Sequence, residues 1–559
     1  MTCRRYVVSG LGPIAAIAAV AAVAALGAAT GCEPPHHGPR FKAAGAATPR
    51  NGGTLRFAIP GQLRTLDPTI GYDDFEYFVL HPLFDTLVGF SPAGLDIVPR
   101  LAESWTVSAD GRVYRFELRP GIMFSDGTPI TAAHVKYGLE RALSTPDSPF
   151  AAFLGDIVGA EEMSGGKATT CTGITTDGDR RLVITLARVN PVLLDILALP
   201  FTTPQRAGHV AAAGDELRRR PDATGPFELA SWDEGNRIVL RRNPHYYDPA
   251  RAHLDEIAML ENIPRDTQFQ MFERGELDST GKLAAPDYLF VMAEPAWRPY
   301  VHRAVGLNVF GSRMNVRVKP FHDRRVRQAL NYALDKRHTA RLLNATTVAA
   351  HGILPPGTLG RDPDLLPYPH DVARARALLA EAGYPDGLDV EYVINDDDET
   401  HNVAVSLQSD LAAAGVRVHI SVMSWATYAT AVGKPQGPAF SFASWTADFP
   451  DPSNFFDPLF HSRSIGEADS TNNTFYANPE LDALLDAARQ ELDPGQRAAM
   501  YRRAEHILHD DAPWIWDYHS VTTEVTQPYV RGYEVHPIWM RDFTSAWLDV
   551  GPDGTPVTR

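Results

Sequence analysis

The sequence predicts a mixed α/β chain built as two or three lobes, and three observations carry that prediction. The chain has 559 residues, several times what one hydrophobic core usually organises. Its composition, 44% apolar and 21% charged, is that of a globular protein rather than a disordered or many-spanning one. Segments alternating with a period of two are interspersed with segments whose apolar residues recur every three or four positions, and no longer repeat marks a solenoid.

The first segment is an address. Arg4 and Arg5 precede an alanine-rich apolar run over 11–29, the pattern of a secretion signal, so 1–31 is assigned to it. Ala29-Thr30-Gly31-Cys32 resembles a bacterial lipobox, with Ala29 where the pattern prefers Leu. That resemblance makes Cys32 the acylated first residue of the mature chain. Residues 32–50 then read as a lipidated N-terminus and flexible tether, reaching about 25 Å in root-mean-square terms. With Cys3 removed and Cys32 modified, Cys171 has no disulfide partner within the chain and reads as a buried or loop thiol.

In the body, Tyr114, Phe116 and Leu118 alternate with Arg115, Glu117 and Arg119, a strand with one wet face. Leu182, Ile184 and Leu186 repeat the pattern, and Ile238 and Leu240 form another strand closed by Asn243-Pro244. Thr131 is a suitable N-cap for a helix burying Val135, Leu139 and Leu143, and Asp323 for one with Val326, Leu330 and Leu334 inward. Asp371 opens a further helix that Gly383 and Pro385 stop. Leu481, Leu485 and Ala488 mark a helix ending before Asp493-Pro494-Gly495, and another runs past Met500, Ala504 and Ile507. Asp396-Asp397-Asp398-Glu399 lacks the mid-loop Gly of a calcium-binding EF-hand and reads as a solvated turn into a helix over 403–411.

Several function classes fall away. The net charge of −16 argues against a nucleic-acid partner, which needs a basic face. There is no phosphate-cradling Gly-x-x-x-x-Gly-Lys-Ser/Thr loop, no His-Glu-x-x-His and no Gly-x-Ser-x-Gly elbow. His506 and His509 lie three apart on a predicted helix without a third ligand nearby in sequence and read as a solvated pair. No cofactor, metal or catalytic set is assigned, and the chain is not expected to be an enzyme; a hydrolase with scattered catalytic groups is the less favoured alternative.

A series of segments, in order, resembles one known family. It runs from Gly52-Gly53-Thr54-Leu55-Arg56 and Leu66-Asp67-Pro68 through Leu83-Phe84-Asp85-Thr86-Leu87 and Pro99-Arg100-Leu101-Ala102-Glu103-Ser104-Trp105. It continues with Phe124-Ser125-Asp126-Gly127, Ala223-Thr224-Gly225-Pro226-Phe227 and Arg242-Asn243-Pro244-His245-Tyr246-Tyr247. Val326-Arg327-Gln328-Ala329-Leu330 and Ala443-Ser444-Trp445-Thr446-Ala447-Asp448-Phe449-Pro450-Asp451-Pro452 complete it. These segments resemble the family 5 extracellular solute-binding proteins, the dipeptide- and oligopeptide-binding components of ABC importers.

The resemblance implies a bilobal periplasmic-binding-protein type II fold with an extra third domain, two lobes hinging around a ligand cleft. Lobe I is expected from 50–92, 222–310 and 519–559, the extra domain from 93–221, and lobe III from 311–518. It implies capture of a peptide outside the cytoplasmic membrane and delivery to permease subunits with ATPase partners, by a monomer held through its lipid anchor. Nickel complexes, haem, oligosaccharides and opines are the alternative solutes. By the same resemblance Asp448 receives the ligand's amino end, Trp445 forms an apolar wall, and Tyr72 and Asp73 meet the first ligand residues. Phe150 is the aromatic reaching in from the extra domain, replacing a tyrosine of some oligopeptide binders, whose hydroxyl is thereby lost. Asp451, before Pro452, reads as a turn or cap.

Overall fold

The computed structural model describes residues 38–92, 94–146, 148–344 and 346–558; the predicted secretion signal and Cys32 lie outside them. Two four-stranded sheets and one seven-stranded sheet form the framework. In the first, Thr54–Ala58 runs parallel to Glu256–Leu260, which continues antiparallel into Arg237–Arg242 and Phe227–Asp233. The strands Thr54–Ala58 and Phe227–Asp233 thus bracket an inserted stretch with its own antiparallel sheet, ordered Ala102–Val107, Val113–Leu118, Arg181–Thr185, Ile174–Asp177. Tyr114, Phe116 and Leu118 face its core as their alternation predicts. Helix Ala132–Ser144, starting after Thr131, covers it with Val135, Leu139 and Leu143 buried.

The seven-stranded sheet holds a crossing between two strand partners. Its strand Trp514–Val525 is 12 residues long. Its first half pairs with Asn308–Met314 and its second half with Val301–Val305. Between those partners the chain passes through Gly306 and Leu307, where Gly306 N–H donates to Ser520 O at 2.9 Å. The Asn308 amide clamps the crossing: its Nδ2 donates to Ser520 Oγ at 2.8 Å and its Oδ1 accepts from Ser520 N at 2.9 Å. Beyond the crossing the sheet adds Phe440–Thr446, Leu388–Asn395 and Val416–Met423. The last two are a parallel pair joined by helix Asp398–Ala413, whose N-cap Asp397 accepts from Thr400 N at 2.8 Å. The acidic turn at 396–399 is therefore a helix start. Asp323 and Asp371 cap helices Arg324–Ala333 and Val372–Glu381 in the same way.

Apolar packing does not stop at the sheet boundaries. One core runs from the inserted stretch, with Phe116, Leu139 and Leu197, into Phe455, Leu485 and Trp516. Phe153 meets Phe449 edge-on at 5.8 Å across that junction.

Two expectations need correction. The tether does not run free to residue 50: Phe41–Lys42 pair antiparallel with Val557–Thr558, and the N–H groups of Gly45 and Ala46 each donate to the Asp549 carboxylate at 3.0 Å. Nor are His506 and His509 a solvated pair. His506 bonds Asp362 at 2.8 Å, and His509 stacks on Tyr368 at 4.5 Å and is largely buried. Cys171 is buried and free. Among the described residues no group of His, Cys, Asp or Glu is placed to hold a metal, and no helix is long and apolar enough to cross a membrane.

Candidate functional site

The loop after Leu66-Asp67-Pro68 is fixed before it reaches the cleft. Asp67 is buried and takes a two-pronged bond from Arg141, Nη1 to Oδ1 at 2.6 Å, which ties the loop to the inserted stretch. A forked guanidinium–carboxylate pair sets direction as well as distance. Asp73 then caps helix Asp74–Leu83, accepting from Phe75 N at 3.0 Å, while buried Glu76 accepts from Tyr72 N at 2.8 Å and Asp73 N at 3.2 Å. This capping box uses the Asp73 carboxylate on the helix and leaves Tyr72 as the residue that projects.

Facing it, Phe440–Thr446 ends at the cleft, and Ala447 N donates to Leu307 O at 2.8 Å. Asp448 and Asn454 bond reciprocally: Asp448 N to Asn454 Oδ1 at 3.0 Å and Asn454 Nδ2 to Asp448 Oδ2 at 3.1 Å. Asp451, read as a turn former, accepts from Ser453 N at 2.9 Å, and its carboxylate also takes both terminal nitrogens of buried Arg497. The run from Asp448 to Asn454 is thus a stiff corner holding one carboxylate toward the cleft.

The Tyr72 hydroxyl donates to Asp448 Oδ1 across the gap. Both partners of the Asp448 carboxylate, Tyr72 and Asn454, are neutral, and no cation pairs with it among the described residues. Burial pushes its pKa up, against the pull of those two hydrogen bonds. Burial, together with the charge of Asp448, holds the Tyr72 phenol far above its ordinary range.

A cavity of about 430 Å³ opens here, lined by Tyr72, Phe153, Asn190, Trp445, Asp448 and Asn454 among others. Trp445 is half-buried, and its indole N–H is buried without an acceptor. Phe150 does not line the cavity. It is buried, stacked on Phe201 at 4.2 Å, and takes the Tyr72 ring edge-on at 5.4 Å. Phe150 thus backs the Tyr72 ring from outside the cavity, and Phe153 is the aromatic of the inserted stretch that lies in the wall.

Beside the Gly306–Ser520 crossing a cavity of about 220 Å³ is bounded by Asp74, Arg265, Lys282, Asn308, Thr446 and Glu524 among others. Here Glu524 pairs with Arg541 at 2.9 Å, whereas Arg265 and Lys282 have no acidic partner among the described residues. A third cavity, about 340 Å³, lies on the other side of Trp445 and is entered by Arg313. Asn454, Phe153 and Arg313 escaped the sequence reading. Asn454 sits two residues beyond the Asp-Pro that ends the family segment, so extending that segment would have found it; Arg313 and Phe153 carry no local signal.

The family model of the bacterial extracellular solute-binding proteins, family 5 Middle, matches residues 96–467. The chain belongs to family 5 of the bacterial extracellular solute-binding proteins. The haem-binding protein A of Haemophilus influenzae is 29% identical to it over 84% of this chain and 87% of that one. The di/tripeptide-binding protein 2 of Pseudomonas aeruginosa is 28% identical over 84% and 90%. Among solved structures, the ABC transporter-associated periplasmic binding protein DppA from Helicobacter pylori, in complex with the peptide STSA, superposes with a TM-score of 0.76. It is 25% identical over 90% of this chain and 99% of that one. The fold is that of type II periplasmic binding proteins.

Proposed function

We propose that this family 5 protein is the substrate-capturing component of an ABC importer for short peptides, and that Asp448 grips the peptide's amino end. One observation carries the reading: a half-buried carboxylate in a cavity wall whose two side-chain donors, Tyr72 and Asn454, are both neutral. A carboxylate that loses its remaining water under a ligand is stable when a cation meets it, and a peptide ammonium supplies one. Trp445 and Phe153 give the apolar walls for the first side chain, and the Tyr72 hydroxyl stays in hydrogen-bond range of the same carboxylate. Phe440–Thr446 ends at the cleft and offers backbone groups to an extended ligand, the mode that tolerates varied side chains. The peptide's carboxyl end runs toward Arg265 and Lys282, the cations of the cavity beside the Gly306–Ser520 crossing without an acidic partner among the described residues.

Closure about the Gly306–Ser520 crossing presents both lobes to the permease and its ATPase partners. The protein works as a monomer, held to the membrane by lipid on Cys32 and a tether that ends before residue 41. The relatives support the transport role, one being named for di- and tripeptides and one holding a peptide. Calorimetry with Ala-Ala-Ala and its N-acetyl form tests the reading: the free amine must bind far more tightly. Mass spectrometry of the mature N-terminus tests the lipid, which is expected on Cys32 and absent from Cys32→Ser.

A further inference from the structure

We propose that the cavity entered by Arg313 is a subsite for a side-chain carboxylate, so that the preferred ligand is a peptide with an acidic residue next to its amino end. The inference rests on the peptide reading above.

Arg313 lies on the strand Asn308–Met314 and is only 9% exposed. Its Nε donates to Ser441 Oγ at 2.9 Å and its Nη2 to Tyr428 Oη at 2.6 Å. Its Nη1 donates at 2.8 Å to the Asn473 amide oxygen, in the orientation that satisfies that amide. Every partner is neutral, and the Tyr428 ring sits 5.4 Å from the guanidinium. No carboxylate pairs with Arg313 among the described residues. The other buried arginines differ. Arg251, Arg497 and Arg541 each meet an acid. Arg100 and Arg327 give their donors to backbone carbonyls and line none of the three cavities.

A guanidinium has five N–H groups. Three are used here, which leaves one on each terminal nitrogen for an incoming carboxylate. An uncompensated buried charge is costly, and an anion arriving with the ligand removes that cost. The surroundings suit one: Ser444 and Thr471 line the cavity with Trp425 and Trp445. The one carboxylate in the lining, Asp469, is exposed, where water and salt screen it. Trp445 and Thr471 border both this cavity and the one holding Asp448. A peptide anchored by its amine at Asp448 therefore presents its first or second side chain to Arg313.

The test is calorimetry on the exported chain with Glu-Ala-Ala, Ala-Glu-Ala and their Gln counterparts, and with glutarate and inorganic phosphate alone. In one of the two registers Glu is expected to bind about tenfold or more tighter than Gln. That ratio should collapse toward unity in Arg313→Gln, an outcome a merely structural role would not produce. If Arg313→Gln does not fold, Arg313→Lys, which keeps the charge and loses the fork, is expected to narrow the ratio. Equal binding of Glu and Gln peptides by the native protein in both registers overturns the proposal, as does phosphate binding as tightly as glutarate. If no peptide binds, the peptide reading falls by itself. The anion subsite then stands on saturable glutarate binding lost in the Arg313 variant, and falls without it.

Discussion

Replacing Asp448 by Asn isolates the charge from the scaffold. The amide can keep its oxygen toward Asn454 Nδ2, now 3.1 Å from Oδ2, and turn its NH2 to the Tyr72 hydroxyl, which accepts as readily as it donates. The corner between Asp448 and Asn454 survives, and only the counter-charge for an ammonium is lost. A buried ammonium left without its partner costs about 2–5 kcal/mol, a weakening of roughly 30- to several-thousand-fold. Calorimetry of native and Asp448→Asn protein with Ala-Ala-Ala and N-acetyl-Ala-Ala-Ala should show that loss for the free amine alone. The pH profile adds a second arm. Because burial raises the Asp448 pKa, amine-dependent affinity should fall on acidification sooner than for an ordinary carboxylate near about 3.9, and fall again above about pH 8 as the ammonium deprotonates. Native protein that binds the acetylated peptide as tightly as the free one, or a variant that loses both equally, would refute the amine role.

Three further outcomes follow from packing and burial. Arg497→Met strands the buried Asp451 carboxylate and should lower stability in urea by about 3–5 kcal/mol, with much of it recovered in Asp451→Asn/Arg497→Met. Burial pushes Glu505 up to about 7 from its ordinary 4.5, so the folded state holds a proton there that the unfolded chain releases. Its contribution to stability therefore declines as pH rises between those values, and Glu505→Gln should flatten that part of the melting-temperature profile. A Cβ on Gly306 would come within 2.1 Å of Asn308 Nδ2, so Gly306→Ala must break the Asn308–Ser520 clamp. It should lower the melting temperature by about one to three degrees, on the order of 1–3 kcal/mol, and widen the molecule in small-angle scattering.

Local chemistry is what the sequence displayed. Thr131, Asp323 and Asp371 each open the helix their spacing predicts, because an N-cap needs only a side chain and the backbone two or three residues on; the helix expected over 403–411 instead begins at Asp398, inside the acidic run. The alternation from Tyr114 to Leu118 was legible for the same reason. Contacts distant in sequence were not. Nothing near Asp67 announces Arg141, and nothing near Asp451 announces Arg497, since those pairs exist only once separate elements are packed. At the site the pattern repeats. Asp448 stood out through its family segment, but the capping use of Asp73 and the burial of Phe150 depend on the whole loop. The tether was misjudged because its small and polar residues look unstructured alone. Pairing at Phe41–Lys42 is provided by a strand more than five hundred positions away.

The Tyr72–Asp448 contact bears on how selectively the cleft can close. That hydroxyl occupies one carboxylate oxygen of Asp448. A ligand shifts a hinge equilibrium only by what it adds to the closed form beyond the contacts already there. A neutral group arriving at Asp448 replaces one uncharged hydrogen bond by another and adds little. A cation adds the attraction that neither Tyr72 nor Asn454 can supply, roughly twice the strength of a neutral bond, in a site where burial has already disfavoured the bare anion. The contact thus acts as a filter on charge, and removing it should blur that filter. Tyr72→Phe is expected to lower the preference for free-amine over N-acetyl peptide, because Asp448 would then have an unfilled oxygen for any donor. An unchanged preference in that variant would mean the hydroxyl takes no part in the choice.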